Sequence, residues 1–179
     1  PGGGGSKEMA LRAGDTFKKD DVELNRLRQH FLTVAMAKVS TSAHEAYDLD
    51  ILKHGKDIVV VHTASQIATA KAVARQMADM GYTRPPMRTN VKVLGKQALG
   101  MFYVGTDSME ASKYISEHDQ KIADKLAYVM AGGDLSEPTE VSEQYLLDLE
   151  REAFLSLTGE RKTLERLQHM IQKGKPLRN

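Results

Sequence analysis

Leu24-Asn25-Arg26-Leu27-Arg28-Gln29-His30-Phe31-Leu32-Thr33-Val34-Ala35 carries apolar residues at Leu24, Leu27, Phe31, Val34 and Ala35. Those steps of three and four put one apolar stripe on an α-helix. The same period recurs downstream at Ile67, Ala70, Ala74 and Met77, with Gly81 where a C-terminal cap belongs. Between the two, Ser42-Ala43-His44-Glu45 has capping-box spacing and starts a short helix through about Leu49. Ile58-Val59-Val60-Val61, short and β-branched, is the one convincing strand. Residues 82–92 form the clearest boundary, because Arg84-Pro85-Pro86-Met87-Arg88 cannot continue a helix. Two further helical segments are expected over 95–104 and 111–131, the second with Ile115, Ile122, Leu126 and Val129 on one face. Gly132-Gly133-Asp134 and Glu137-Pro138 break the chain again. A helical pair closes it: Val141, Tyr145, Leu149 and Ala153, then Leu164, Leu167 and Ile171, with Gly174 at C′ and Pro176 beyond. The reading is mainly α, with at most one short strand and no internal repeat.

Composition narrows the functional classes. The 179 residues hold 25 Lys plus Arg against 24 Asp plus Glu, so no net field recruits nucleic acid or an anionic membrane. No apolar run approaches the roughly 18 residues of a membrane span. Cysteine is absent, which removes disulfides, thiolate nucleophiles and thiolate metal sites, and a cytoplasmic protein is expected. The opening Pro1-Gly2-Gly3-Gly4-Gly5-Ser6 has no initiator methionine. It reads either as a flexible spacer or as the first residues of a piece of a longer protein. The tail is acidic from Asp134 to Glu152 and basic from Lys162 to Arg178, a pattern of solvated faces and favourable helix ends, with an anion site at the basic end as the alternative.

Self-contained chemistry is missing. His44-Glu45-Ala46-Tyr47-Asp48 has Asp where a zinc protease needs its second imidazole, so no metal site is expected. His30, His54, His62, His118 and His169 are scattered singly. No Gly-Lys-Ser/Thr follows the glycines, no Gly-x-Ser-x-Gly occurs, and Lys7 stands where a dinucleotide fingerprint starting at Gly2 needs its third glycine.

Several stretches are nonetheless familiar. Pro1-Gly2-Gly3-Gly4-Gly5-Ser6-Lys7-Glu8-Met9-Ala10-Leu11-Arg12 resembles the glycine turn and short helix after the second active-site strand region in the crotonase (enoyl-CoA hydratase/isomerase) superfamily. Ala37-Lys38-Val39-Ser40-Thr41-Ser42-Ala43-His44-Glu45-Ala46 through Leu52 is similar to its Ile-Ser-Ala-x-Glu-Ala signature, departing from it at Lys38 and Asp50. Gly132 to Phe154, with Gly174-Lys175-Pro176-Leu177-Arg178-Asn179, looks like the C-terminus of bacterial bifunctional β-oxidation proteins, in which a 3-hydroxyacyl-CoA dehydrogenase precedes a crotonase-like domain.

The resemblance implies the C-terminal helical portion of a crotonase-like domain: residues 1–83 its C-terminal part, 84–140 a helical elaboration, 141–179 the terminal helical pair. It implies a fatty-acid β-oxidation enzyme using NAD and acyl-CoA, homo-oligomeric, with no nucleic-acid partner. This piece would cover the acyl-CoA site, make subunit contacts and be catalytically incomplete alone, since the oxyanion amides and acid/base residues lie upstream. Two positions carry over. The Gly2 amide matches one that positions the reacting water in hydratases, against a plainer reading as a tight turn. Met170 and Lys173 match an aromatic-x-x-Lys pattern that meets the adenine and phosphate end of coenzyme A, with Met replacing the aromatic residue. The alternative is a noncatalytic helical module that binds a protein partner through apolar faces.

Overall fold

A computed structural model describes residues 1–179. In chain order the elements are α1 (Gly5–Asp15), α2 (Glu23–Ala35), α3 (Ala43–Asp48), a 3-10 turn at Thr63–Ser65, α4 (Gln66–Asp79), β1 (Val91–Val93), α5 (Gly95–Ala111), α6 (Glu117–Ala131), β2 (Thr139–Val141), α7 (Glu143–Thr158) and α8 (Arg161–Lys173). The chain is mainly helical. It packs as two units, residues 1–38 with 88–179, and residues 39–87. That partition follows packing and cuts the chain elsewhere than the family-based segments 1–83, 84–140 and 141–179.

In the larger unit, α6 is the central helix, packed by α1, α2, α5 and α7. The buried Ala123, Ala127 and Ala131 recur every four residues along it, and such small side chains let neighbouring helices approach closely. Leu126, Val129 and Met130 fill the remainder of its inner surface, and Leu27 and Phe31 of α2 share the core with Phe102 of α5. The Phe31 and Phe102 rings stack with centroids 4.4 Å apart, a favourable aromatic geometry. Ser116 starts α6 with a true capping box: its hydroxyl accepts from Asp119 N at 3.1 Å, and Asp119 Oδ2 accepts from Ser116 N at 3.1 Å.

Two expectations about strands are overturned. Ile58–Val61 joins no ladder, and instead of at most one strand there are two, β1 and β2. They pair antiparallel, Val91 opposite Val141 and Val93 opposite Thr139. Val91 and Val93 point into the core while Lys92 faces out and pairs with Glu23 at 2.6 Å, the alternation of a half-buried strand. Three residues are too few for sequence periodicity to reveal. Val141, read as the start of a terminal helix, is therefore in β2, and Ser142 caps α7 by accepting from Tyr145 N at 3.1 Å.

Helix boundaries also move. The helix expected over 95–104 continues to Ala111, and the next begins at Glu117 rather than near Ala111. Lys113, at φ 59°, reverses the chain there, and Ser116 supplies the new start. Gly132 must be glycine at the C-terminal end of α6. Its φ is 84°, and a Cβ there would lie 2.5 Å from Val93 Cγ2.

In the smaller unit, Ser42 caps α3 as expected, accepting from Glu45 N at 3.1 Å. Glu45 reaches back past the cap to Thr41, taking its N–H and hydroxyl at 2.7 Å each. Gly81 follows α4 with φ 74°, and Tyr82 N donates to Met77 O at 3.0 Å, the hydrogen bond of a left-handed helix stop. Only Ala46 is fully buried in this unit, and no residue of α4 is.

Candidate functional site

The glycine-rich opening folds into a turn that begins α1. Gly4 occupies the N-cap position at φ 108°, where an L side chain is strained, and the turn presents consecutive N–H groups to one side. The Glu150 carboxylate, 1% exposed on α7, sits there. Its Oε1 accepts from Gly2 N at 2.8 Å, Gly4 N at 3.1 Å and Ser6 N at 3.3 Å, and its Oε2 accepts from Lys7 N at 2.8 Å. Burial by itself pushes this carboxyl up. The amides of Lys7, Gly2, Gly4 and Ser6 outweigh that and hold it below its usual range, so Glu150 stays ionised. The positive end of α1 adds to the same preference.

A ring of charge surrounds the turn. Lys7 Nζ donates to Glu143 Oε1 at 2.7 Å and to Glu8 Oε2 at 3.4 Å. Glu143 Oε2 also accepts from Arg88 N at 3.2 Å, and Arg88 reaches Asp15 Oδ1 at 2.6 Å. Burial works against the Lys7 ammonium, but Glu143 and Glu8 raise its pKa overall; hydrogen bonding to Lys7 lowers that of Glu143. The glycine turn is thus tied to the start of α7 at two depths.

Sequence reasoning placed Glu150 only among the acidic residues of the tail. A sharper signal was present. Leu146, Leu149, Glu150, Ala153 and Leu157 share the buried arc of α7, so a carboxylate lies in phase with an apolar stripe. Such a residue needs a partner, because an unpaired buried charge is costly.

The structure puts the sequence-derived site residues in two places. Gly2 lies in the turn with its amide engaged by Glu150. Met170 and Lys173 lie on α8, both exposed, Lys173 in the last turn ahead of Gly174 at φ 62°. They are not joined to the turn. Leu164, Leu167 and Ile171, read as an apolar helix face, are 52%, 47% and 85% exposed, so α8 is held by polar contacts instead. His118 Nε2 and Thr163 Oγ1 are 3.0 Å apart, and Arg166 pairs with Asp119 at 2.7 Å. His44 is exposed on α3, and His54 stacks on Tyr47 with centroids 4.0 Å apart.

A concavity of about 310 Å³ lies between α2 and α5 and is lined by Phe31, Leu32, Met101, Phe102 and Met109, together with Arg28. Thr106, also in its lining, is buried, and its hydroxyl donates to Asp124 Oδ1 at 2.6 Å. Burial, then the Asp107 charge, raises the Asp124 carboxyl despite that bond.

Along its whole length the chain is similar to a protein named a probable 3-hydroxyacyl-CoA dehydrogenase. The relative is the probable 3-hydroxyacyl-CoA dehydrogenase of Bacillus subtilis (strain 168), 48% identical over 179 residues, which are all of this chain and 22% of the relative. The chain therefore spans about a fifth of the length of the curated relative it matches. No family model and no solved structure matches it. No helix is long and apolar enough to cross a membrane.

Proposed function

We propose that this chain is the C-terminal part of an NAD-dependent 3-hydroxyacyl-CoA dehydrogenase of fatty-acid β-oxidation that also carries a crotonase-like, enoyl-CoA hydratase-type domain. The observation that carries the reading is the 48% identity running from Pro1 to Asn179. The glycine turn leading into α1 supports the crotonase-like part, since the superfamily resemblance begins there. The division of labour is that these residues cover the acyl-CoA site and make subunit contacts in a cytoplasmic homo-oligomer.

Residues 1–179 do not fit an NAD site. Their only sheet is a two-stranded antiparallel ladder, whereas a dinucleotide fold needs parallel strands joined through helices. Hydride transfer is accordingly assigned to the remainder of the longer protein. Coenzyme A fits this chain better. Lys173 and Lys175 supply cations beside the exposed end of α8, suited to phosphate, and Met170 one turn earlier offers an apolar surface to the adenine. Gly2 can position a water only if Glu150 releases its amide.

The test is a turnover assay with both lengths of chain. The full-length protein is expected to reduce NAD with 3-hydroxyacyl-CoA, and residues 1–179 alone to leave enoyl-CoA unchanged. In the full-length protein Lys173→Ala is expected to raise KM for acyl-CoA by about 3- to 10-fold, as loss of one phosphate contact does, with a weaker salt dependence. An inert full-length protein, or turnover by the short chain, refutes the proposal. The uncovered stripe Leu164, Leu167 and Ile171 is what favours subunit contact, and sedimentation as a monomer at every concentration would remove that part.

A further inference from the structure

Residues 58–61 have the composition of a strand and none of its partners. They lie outside the only ladder, yet both ends are anchored within their own unit. At one end Asp57 Oδ2 accepts from Lys53 N at 2.7 Å and Asp57 O accepts from Tyr47 Oη at 3.0 Å. At the other, Ser65 N donates to His62 O at 2.9 Å and His62 Nδ1 meets Ser65 Oγ at 3.1 Å. The segment between these clamps is apolar at every position and mostly exposed. Ile58 and Val60 line a concavity of about 410 Å³ against α4, with Ala70, Val73 and Met77 opposite. Ile58 nevertheless stays 62% exposed, and Val59 and Val61, of the opposite parity, are 42% and 94% exposed.

A strand apolar on both parities is the pattern of a buried strand, covered on each face and paired along its edges. Here α4 covers one face only in part and the other face is open. The order strand, tight turn, helix laid back on the strand is half of a parallel crossover, which needs a neighbouring strand to be complete. We infer that residues 58–61 are a strand that pairs with the edge of a β-sheet in the part of the longer protein outside these 179 residues. This rests on the proposed function insofar as that reading supplies the longer protein, and most of the matched relative's length lies outside the matched region. A second copy of this chain is the poorer occupant, because four residues bury too little for a stable dimer.

Hydrogen exchange resolved to peptide 57–62 tests this in the full-length protein, with residues 1–179 as reference. Pairing is expected to slow the amides of residues 59–61 at least about 100-fold relative to the shorter chain. Equal, fast exchange in both overturns the inference. So does protection in the shorter chain that grows with its concentration, which assigns the edge to a second copy. Val59→Pro and Val60→Pro in the full-length protein differ in parity, so one is expected to abolish protection of its neighbours and the other to leave it. NAD-linked oxidation with fast exchange at 59–61 sinks this inference and spares the proposed function. Protection without oxidation does the reverse.

Discussion

Replacing Glu150 with Gln preserves the shape of the side chain and removes its charge. With its oxygen toward Gly2, Gly4 and Ser6, the new amide nitrogen faces Lys7 N–H, and two donors meet where a carboxylate accepted at 2.8 Å. Three bonds lose a charged acceptor and one amide is orphaned. Hydrogen bonds to charged groups contribute about 1.5–3 kcal/mol and an orphaned buried donor costs about 1–3, so after partial relaxation Glu150→Gln should lose roughly 2–4 kcal/mol. Urea unfolding followed by far-ultraviolet circular dichroism reads this as a midpoint lowered by about 1–2 M, at unchanged slope. The acid limb supplies a second readout. The carboxyl titrates lower in the folded protein than its ordinary 4.5, so its stabilisation is complete above that value. It is lost as pH falls through the folded pKa. The variant should lack that portion of the acid dependence. A loss under about 0.5 kcal/mol with an unaltered acid limb would refute the reasoning.

Gly132→Ala should destabilise by about 2–4 kcal/mol, combining the left-handed backbone with a Cβ driven into Val93. Gly132→Asn should give no rescue, although asparagine tolerates positive φ, because the collision is with Cβ itself; thermal unfolding of both variants checks it. His118 is lowered from 6.5 first by burial, then by Arg166 and Lys162, against a raising effect of Glu160. Its contribution is therefore full above 6.5 and is lost as pH falls through the folded value. The difference in unfolding free energy between wild type and His118→Gln should shrink from pH 7 to pH 5, and a constant difference would contradict the assignment. Lys173→Ala should weaken acyl-CoA binding without altering urea stability by more than about 0.5 kcal/mol, since the side chain is exposed.

Long periodic segments were legible in the sequence because apolar residues at helical spacing mark them, whether that face is buried, as in α2 and α7, or open, as in α4. α2, α4 and α7 follow from their apolar steps, and the stops at Gly81 and Gly174 from their positions. The Val91–Val93 strand was not legible, because three residues carry too little pattern and its partner lies 46 residues away at Thr139–Val141. The α8 stripe and the 58–61 strand erred the other way. Their patterns are genuine, but a pattern states that a face wants covering, not that residues within the same chain cover it. The Glu150 centre required knowing that Gly2 and α7 meet across 148 positions, which no local window contains.

That separation has a consequence for synthesis. During translation the glycine turn leaves the ribosome well before the α7 segment, and its amides meet only water until that segment follows. A nascent chain stalled short of residue 150 thus holds α1 without the carboxylate that secures its first turn. Closing so long a loop also places this contact late on the folding route. The glycine turn is among the last parts of this fold to find its lock.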